Sequence, residues 1–242
     1  MDFIETFRAK FYLCFIADNR FVDYMLYGLG NTLKITLFAV LIGVAVGVVL
    51  ALIRVTYDKT IADLRGPGRI FIQLLNAFAK LYITVIRGIP VVVQLLIWFF
   101  VILIKVDNRI FVAIIAFGIN SGAYVAEIIR GGIMSVDSGQ SEAGRSLGFG
   151  YISTMRYIIL PQAFKNALPT LLNEFIALLK ETAIVGYIAV MDLTKAADII
   201  RGRTFESFFP LVGAALIYLL LVMILSWLFG KLERRLRASD RR

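Results

Sequence analysis

The sequence predicts an all-α membrane protein with five transmembrane helices, and three observations carry that prediction. Of the 242 residues, 60% are hydrophobic and only 18% are charged, whereas soluble domains sit nearer one half and one quarter. The apolar residues fall in long blocks rather than alternating, and about 18–20 of them in a row let a helix cross a roughly 30 Å hydrocarbon core. The length leaves no room for several spans plus a large soluble domain, so a single transmembrane domain over 1–242 is expected.

The elements follow in order. Residues 1–23 read as an extracytoplasmic or interfacial segment. Asp2, Glu5, Asp18 and Asp23 interrupt it and no clean positive region precedes an apolar core, which is unlike a cleavable signal. Phe3, Phe7 and Phe11 recur every fourth residue, which suits an amphipathic helix at the membrane interface and equally a plain lead-in to the first span. That span is expected over 30–53, where Ala39, Gly43, Gly47 and Ala51 form a small-residue stripe for close helix approach. The second is expected over 86–105, preceded by an apolar stretch, 70–85, broken by Asn76 and Lys80 and placed at the cytoplasmic face. Residues 70–104 as one straight helix would run about 52 Å, too long for one crossing. Gly88 and Pro90 mark the bend: glycine loosens the turn and proline removes a helix hydrogen bond. Asp107-Asn108 is a very short link, so spans two and three form a tight hairpin at the outer face. The third span covers 110–130, the fourth 168–190 and the fifth 208–230, with a polar loop over 131–167 and a basic tail over 231–242.

The formal charge is +9. In a membrane protein such an excess serves orientation and contact with anionic lipid, so nucleic acid is not an expected partner. The fivefold threading puts sixteen basic residues on the side of the 131–167 loop and the tail and eight on the other. The first side is then cytoplasmic, with the N-terminus outside and the C-terminus inside. There is no histidine and a lone cysteine, Cys14. An intrachain disulfide and a histidine-based metal site or proton relay are excluded, and no metal or cofactor is expected.

Polar residues inside the spans point to function. Asn120, Tyr124 and Glu127 share one face of the third span, with Ser121 adjacent. Lipid exposure of such a stripe costs several kcal/mol, so it lines a path or bonds between helices, and Glu127 has Arg130 one turn on as an ion-pair partner. In the fourth span, Asn173-Glu174 precedes Lys180-Glu181-Thr182. Glu174 either faces the transport path or belongs to a structural ion pair.

The 131–167 loop reads as two short helices. Gln140–Leu147 is helix-compatible, Gly148-Phe149-Gly150 supplies a turn, and Tyr151–Ile159 resumes a helix that Pro161 ends. Ala143 and Gly144 are small enough to seat in a partner's groove, and Glu142 offers it a charge.

Here the chain resembles a known family. Glu142-Ala143-Gly144, Gly148 and Ile158-x-Leu160-Pro161 are similar to the EAA loop of membrane subunits of bacterial ABC importers, with Gly144 in place of the third alanine. The branch of polar amino-acid permeases is matched by Gly30-Asn31-Thr32-Leu33, by Arg87-Gly88-Ile89-Pro90 with Gln94, and by Ala123-Tyr124-x-x-Glu127-x-x-Arg130-Gly131-Gly132. Leu160-Pro161-Gln162-Ala163 and Asn173-Glu174 with Leu179-Lys180-Glu181-Thr182 extend it, so that the match runs in register from about 24 to 236. The resemblance implies the type I ABC importer transmembrane fold in the bacterial cytoplasmic membrane. It implies a second permease subunit, identical or similar, two cytoplasmic ABC ATPase subunits docked on Glu142, Ala143, Gly144, Leu147, Gly148 and Phe149, and an extracytoplasmic amino-acid-binding protein. Consistently, the chain has no GxxxxGK[ST] phosphate loop, so ATP hydrolysis is expected in a separate polypeptide and the chain itself is no enzyme. The implied activity is alternating-access import of a polar amino acid. Glu174 and Asn173, then Tyr124 and Asn120, are the expected substrate contacts, and a carboxylate there suits a cationic side chain or simply an α-amino group. Two other classes compete: an ion-coupled secondary amino-acid transporter, against which no inverted repeat is visible, and a membrane scaffold, against which the ordered polar loop stands.

Overall fold

The computed structural model describes residues 2–62 and 64–238, the side chains of residues 237 and 238 excepted. Of the basic tail, Arg241, Arg242 and the side chain of Arg237 therefore lie outside the described residues. Among the described residues the fold is all-helical. Helix α1 spans Phe3–Phe11 and passes through short π and 3-10 turns to α2, Tyr27–Thr60. Next come α3, Pro67–Gly88, and α4, Val91–Ile97, whose last turn widens to π geometry over Trp98–Ile102. Helix α5 covers Arg109–Met134. The intervening loop contains α6, Ser138–Ser146, and α7, Tyr151–Thr154, before α8, Leu160–Glu181. A 3-10 segment, Thr182–Ile188, leads to α9, Leu193–Thr204, and α10, Phe208–Ala238.

Among the described residues, four helices are long and apolar enough to cross a membrane: Phe21–Thr60, Pro67–Gly88, Arg109–Met134 and Phe208–Leu236. The chain does break at Ile89-Pro90, but the longer apolar piece is the one before the break. The stretch 70–85, expected at the cytoplasmic face, is the body of α3, and 91–102 is only a shorter apolar helix. Asn76 does not break α3, because it points inward and is buried, while Ile70, Phe71, Leu74, Phe78 and Leu81 form an exposed apolar face suited to lipid. The expected fourth span, 168–190, is the second half of α8 plus the 3-10 segment; α8 begins earlier and carries Lys165, Glu174, Lys180 and Glu181. Pro161 is a further correction. It does not end the helix: the chain stays helical from Tyr151 through the π turn Met155–Ile159 into α8, and Pro161 follows that wider turn, where the regular ladder is already interrupted.

The chain divides into two compact units, Met1–Ala39 with Val91–Phe117 and Ile176–Trp227, and Val40–Pro90 with Gly118–Phe175 and Leu228–Arg242. In the first, Cys14, Met25, Leu193, Ala196, Ala197, Ile200, Phe209 and Ala214 form the core. The phenylalanines of α1 are exposed, and only Phe7 and Phe11 touch the edge of that core: the Phe7 ring meets Phe209 edge-on at 4.9 Å, and Lys10 pairs with Glu206 at 2.8 Å. The same unit holds a buried polar clasp. Asp192 caps α9 by accepting from the Thr194 and Lys195 amides, Asn31 donates to the Met191 carbonyl, and the Leu193 amide donates to Thr32 Oγ1. A Cβ on Gly28 would stand 2.5 Å from the Asp192 carbonyl oxygen, so only glycine lets α2 come this close.

In the second unit the core lies between α2, α3 and α5, around Leu50, Ala79, Ile83, Ala123 and Ala126, and continues between α2, α5 and α8 around Val55, Ile133, Ile159 and Ala163. The helix that approaches the small-residue stripe of α2 is α5. Cβ atoms added at Gly43 and Gly47 would fall 2.9 Å from Ser121 and 2.5 Å from Val125. One Cβ at Gly132 would lie 2.7 Å from Ala167, so α5 is pressed as tightly onto α8. Without a hydrophobic drive between helices in lipid, such backbone approach is the main source of helix adhesion.

Candidate functional site

Two polar regions stand out in the second unit. The first lies between α5 and α8. Ser121 is fully buried and donates its hydroxyl to Glu174 Oε1 at 3.1 Å. From the end of α3, the Arg87 guanidinium lies 5.1 Å from the centre of the Tyr124 ring, within electrostatic reach of Glu174. A cation over an aromatic face gains roughly 0.5–2 kcal/mol, more as water is excluded. Tyr82 donates to the Ile119 carbonyl at 2.6 Å and so fixes α3 against α5 beside this group. Of the predicted substrate contacts, Glu174 and Tyr124 belong to this arrangement. Asn120 is buried one position before Ser121, whereas Asn173 is exposed, a helical step of 100° away from Glu174. Arg87 was legible only as part of a bend motif, since nothing in the sequence tells which helix a residue beside a break will face.

Glu127 has a different setting. It pairs with Arg130 at 3.4 Å and Arg54 at 3.8 Å, and Arg130 reaches Asp58 at 3.5 Å. This is the ion-pair reading of Glu127, widened to four residues tying α2 to α5.

The second region is the loop after α5. Asp137 caps α6 by accepting from the Gly139 amide at 2.6 Å. The helix ends in a Schellman turn: Phe149 N donates to the Gly144 carbonyl, Gly148 N to that of Arg145, and Gly148 takes φ +82°, where a side chain would be strained. The termini are thereby closed without outside help, and α6 is a preformed unit. Glu142, Ala143, Leu147, Gly148 and Phe149 are exposed on it, with Leu147 at 76%. Gly144 is the exception: it is buried, and a Cβ there would lie 2.9 Å from Thr154 and 3.1 Å from Ile158. Of the six expected docking residues, five face outward and Gly144 is the seat on which α6 rests. The loop's roots are bonded too, by Asn166 to Ser135 at 2.9 Å and Gln162 to Gln140 at 3.3 Å.

Helices long and apolar enough to cross a membrane, with a self-capped, exposed polar helix between α5 and α8, define the class of a membrane-spanning transport subunit. Comparison with known proteins agrees. Residues 69–238 match the family described as binding-protein-dependent transport system inner membrane component. The arginine transport system permease protein ArtQ of Bacillus subtilis is 38% identical over 232 residues, 94% of this chain and 99% of that one. A crystal structure of an amino acid ABC transporter with histidines superposes with a TM-score of 0.78 at 40% identity, covering 97% of this chain and 99% of its own. The MetNI methionine ABC transporter, in an inward-facing conformation, shares the fold with a TM-score of 0.73 at 18% identity over 89% and 97% of the two chains. The chain belongs to the family of binding-protein-dependent transport system inner membrane components.

Proposed function

We propose that this chain is the permease subunit of an ATP-driven amino-acid importer, and that Glu174 and Arg87 are the two poles of its substrate path. The carrying observation is the Ser121–Glu174 hydrogen bond beside the Arg87–Tyr124 stack. An amino acid brings one ammonium and one carboxylate. A carboxylate already oriented by Ser121 suits the first, and a guanidinium held over a tyrosine suits the second, because planar donors bind carboxylates in pairs. Tyr124 and the buried Asn120 flank the pair. The second permease subunit, identical or similar, completes the path, and an extracytoplasmic binding protein delivers the substrate.

The loop 131–167 and the basic segment from 231 lie on the cytoplasmic side in this reading, which the excess of Lys and Arg there supports. Two ATPase subunits grip the exposed face of α6 through Glu142, Ala143, Leu147, Gly148 and Phe149. ATP binding draws them together, and the helices on either side of the loop reopen the path outward. Hydrolysis restores the inward state, with Gly88 and Pro90, where helix α3 ends, as the hinge.

The test is uptake by proteoliposomes holding the assembled complex, its binding protein and internal ATP, with a panel of cationic, amide and acidic amino acids. ATP-dependent uptake of one chemical group, abolished by Arg87→Gln and by Glu174→Gln, is the expected result. Uptake that follows an imposed ion gradient and ignores ATP would replace this reading with an ion-coupled transporter.

A further inference from the structure

Beside α6 lies a cavity of about 500 Å³, which of the docking residues touches only Glu142. Its walls come from the end of α2, from α6 and from the segment that follows, and two cations face it: Lys59 and Arg145. Among the described residues neither enters a salt bridge. Glu142 also lines the cavity, as do the hydroxyl-bearing Ser138 and Ser141, so the lining carries two positive charges, one negative charge and a set of short donors.

The deep side supplies a second, independent sign. Thr154 lines the same cavity, is only 5% exposed, and its Oγ1 has no hydrogen-bond partner. A buried hydroxyl left unpaired costs about 1–3 kcal/mol and is rare in native structures unless a ligand or bound water answers it. Arg, Lys and short hydroxyls around one cavity are the donor set that phosphate oxygens take up.

We propose that this cavity holds a phosphate group, with the headgroup of an anionic phospholipid as the source its position favours and free inorganic phosphate as the other. The inference rests on the cytoplasmic placement of the loop given above. Lys59 and Thr60 close the long apolar helix α2, where a span leaves the hydrocarbon and meets the headgroup layer. Leu64, Met155 and Ile159 add apolar surface to the same lining, which suits a glycerol backbone and acyl ester more than a free ion. A lipid held there would touch α6 through Arg145, one turn from the docking residue Glu142. Lipid charge would thereby bear on the seating of the docking helix.

The experiment is native mass spectrometry of the assembled complex in detergent, titrated with phosphatidylglycerol and, in parallel, phosphatidylcholine. Three variants are compared, Lys59→Gln, Arg145→Gln and Thr154→Val, with Arg156→Gln as a cation of the same loop outside the cavity. Each of the three is expected to weaken one phosphatidylglycerol-binding event about tenfold, the usual worth of one charge-assisted hydrogen bond, while Arg156→Gln and the phosphatidylcholine titration show no change. Thr154→Val is expected to leave the melting temperature level or raised, since it removes an unpaired hydroxyl. Displacement of the lipid by millimolar inorganic phosphate would assign the site to the free ion, and no displacement would assign it to the lipid. Equal phosphatidylglycerol affinity in wild type and all three variants would overturn the proposal. Failure of ATP-driven uptake would count against the proposed function alone, because the lipid titration reads binding and not transport.

Discussion

Ser121 of α5 and Glu174 of α8 share a hydrogen bond of 3.1 Å, and the polar loop that follows one helix is the loop that precedes the other. The bond bridges the two arms of a single hairpin. If Glu174 serves substrate, Glu174→Gln should raise the KM for uptake about tenfold or more, as loss of a charged hydrogen-bonding partner does, and Ser121→Ala should raise it by less. A lowered melting temperature with an unchanged KM would make the pair purely structural.

Gly47 offers a packing test. Its added Cβ would stand 2.5 Å from Val125 Cγ1, the far end of a short, stiff side chain. Gly47→Ala should destabilise the chain by about 1–3 kcal/mol, the usual cost of overpacking. Because the Val125 Cβ would still lie 2.6 Å from the new methyl and the Ala126 amide nitrogen 3.0 Å, the double variant with Val125→Ala should regain little of it in a thermal melt.

Gly144 tests the seating of α6. Gly144→Ala restores the triplet common in the resembled family, yet here the new methyl would press on Thr154 and Ile158. The expected outcome is less ATPase retained on purification, recovered in part by adding Ile158→Val. Undiminished retention in the single variant would mean that α6 can rise without cost.

Acid should act on α9 through Asp198. Hydrogen bonds from Arg201 and Lys195 hold its carboxyl below the ordinary 3.8. The folded-state value is depressed, so this contribution is present above the unfolded value and is lost as pH falls through the lowered one. The melting-temperature gap between wild type and Asp198→Asn should therefore be open at neutral pH and close on the acid side. Because Asp198 is at the surface, the gap should be small and should shrink in 1 M salt.

The membrane class, the helix break between Gly88 and Pro90 and the exposed end of α6 were legible because each rests on local chemistry: apolar run length, a missing amide, a left-handed glycine. The allocation of the second span was not. Asn76 and Lys80 looked like interruptions in a one-dimensional count, but a helix puts Asn76 inside and leaves a full apolar face beside it. Pro161 misled for a related reason, since a helix can carry a proline just past a widened turn, and the sequence pattern does not show the π turn at Met155–Ile159. Arg87 at the site depended on which way a broken helix turns, and no periodicity records that.

The hairpin has matched arms. Ser121 stands 13 positions before the end of α5 at Met134, and Glu174 stands 14 positions after the start of α8 at Leu160, about 20 Å along each helix. A pair of tongs with equal limbs spreads its tips evenly when its hinge is twisted, and both limbs here are stiffened where Gly132 meets Ala163 and Ala167. A pull on the loop would reach both tips in step, so the grip on whatever lies between them would loosen all at once and not from one side.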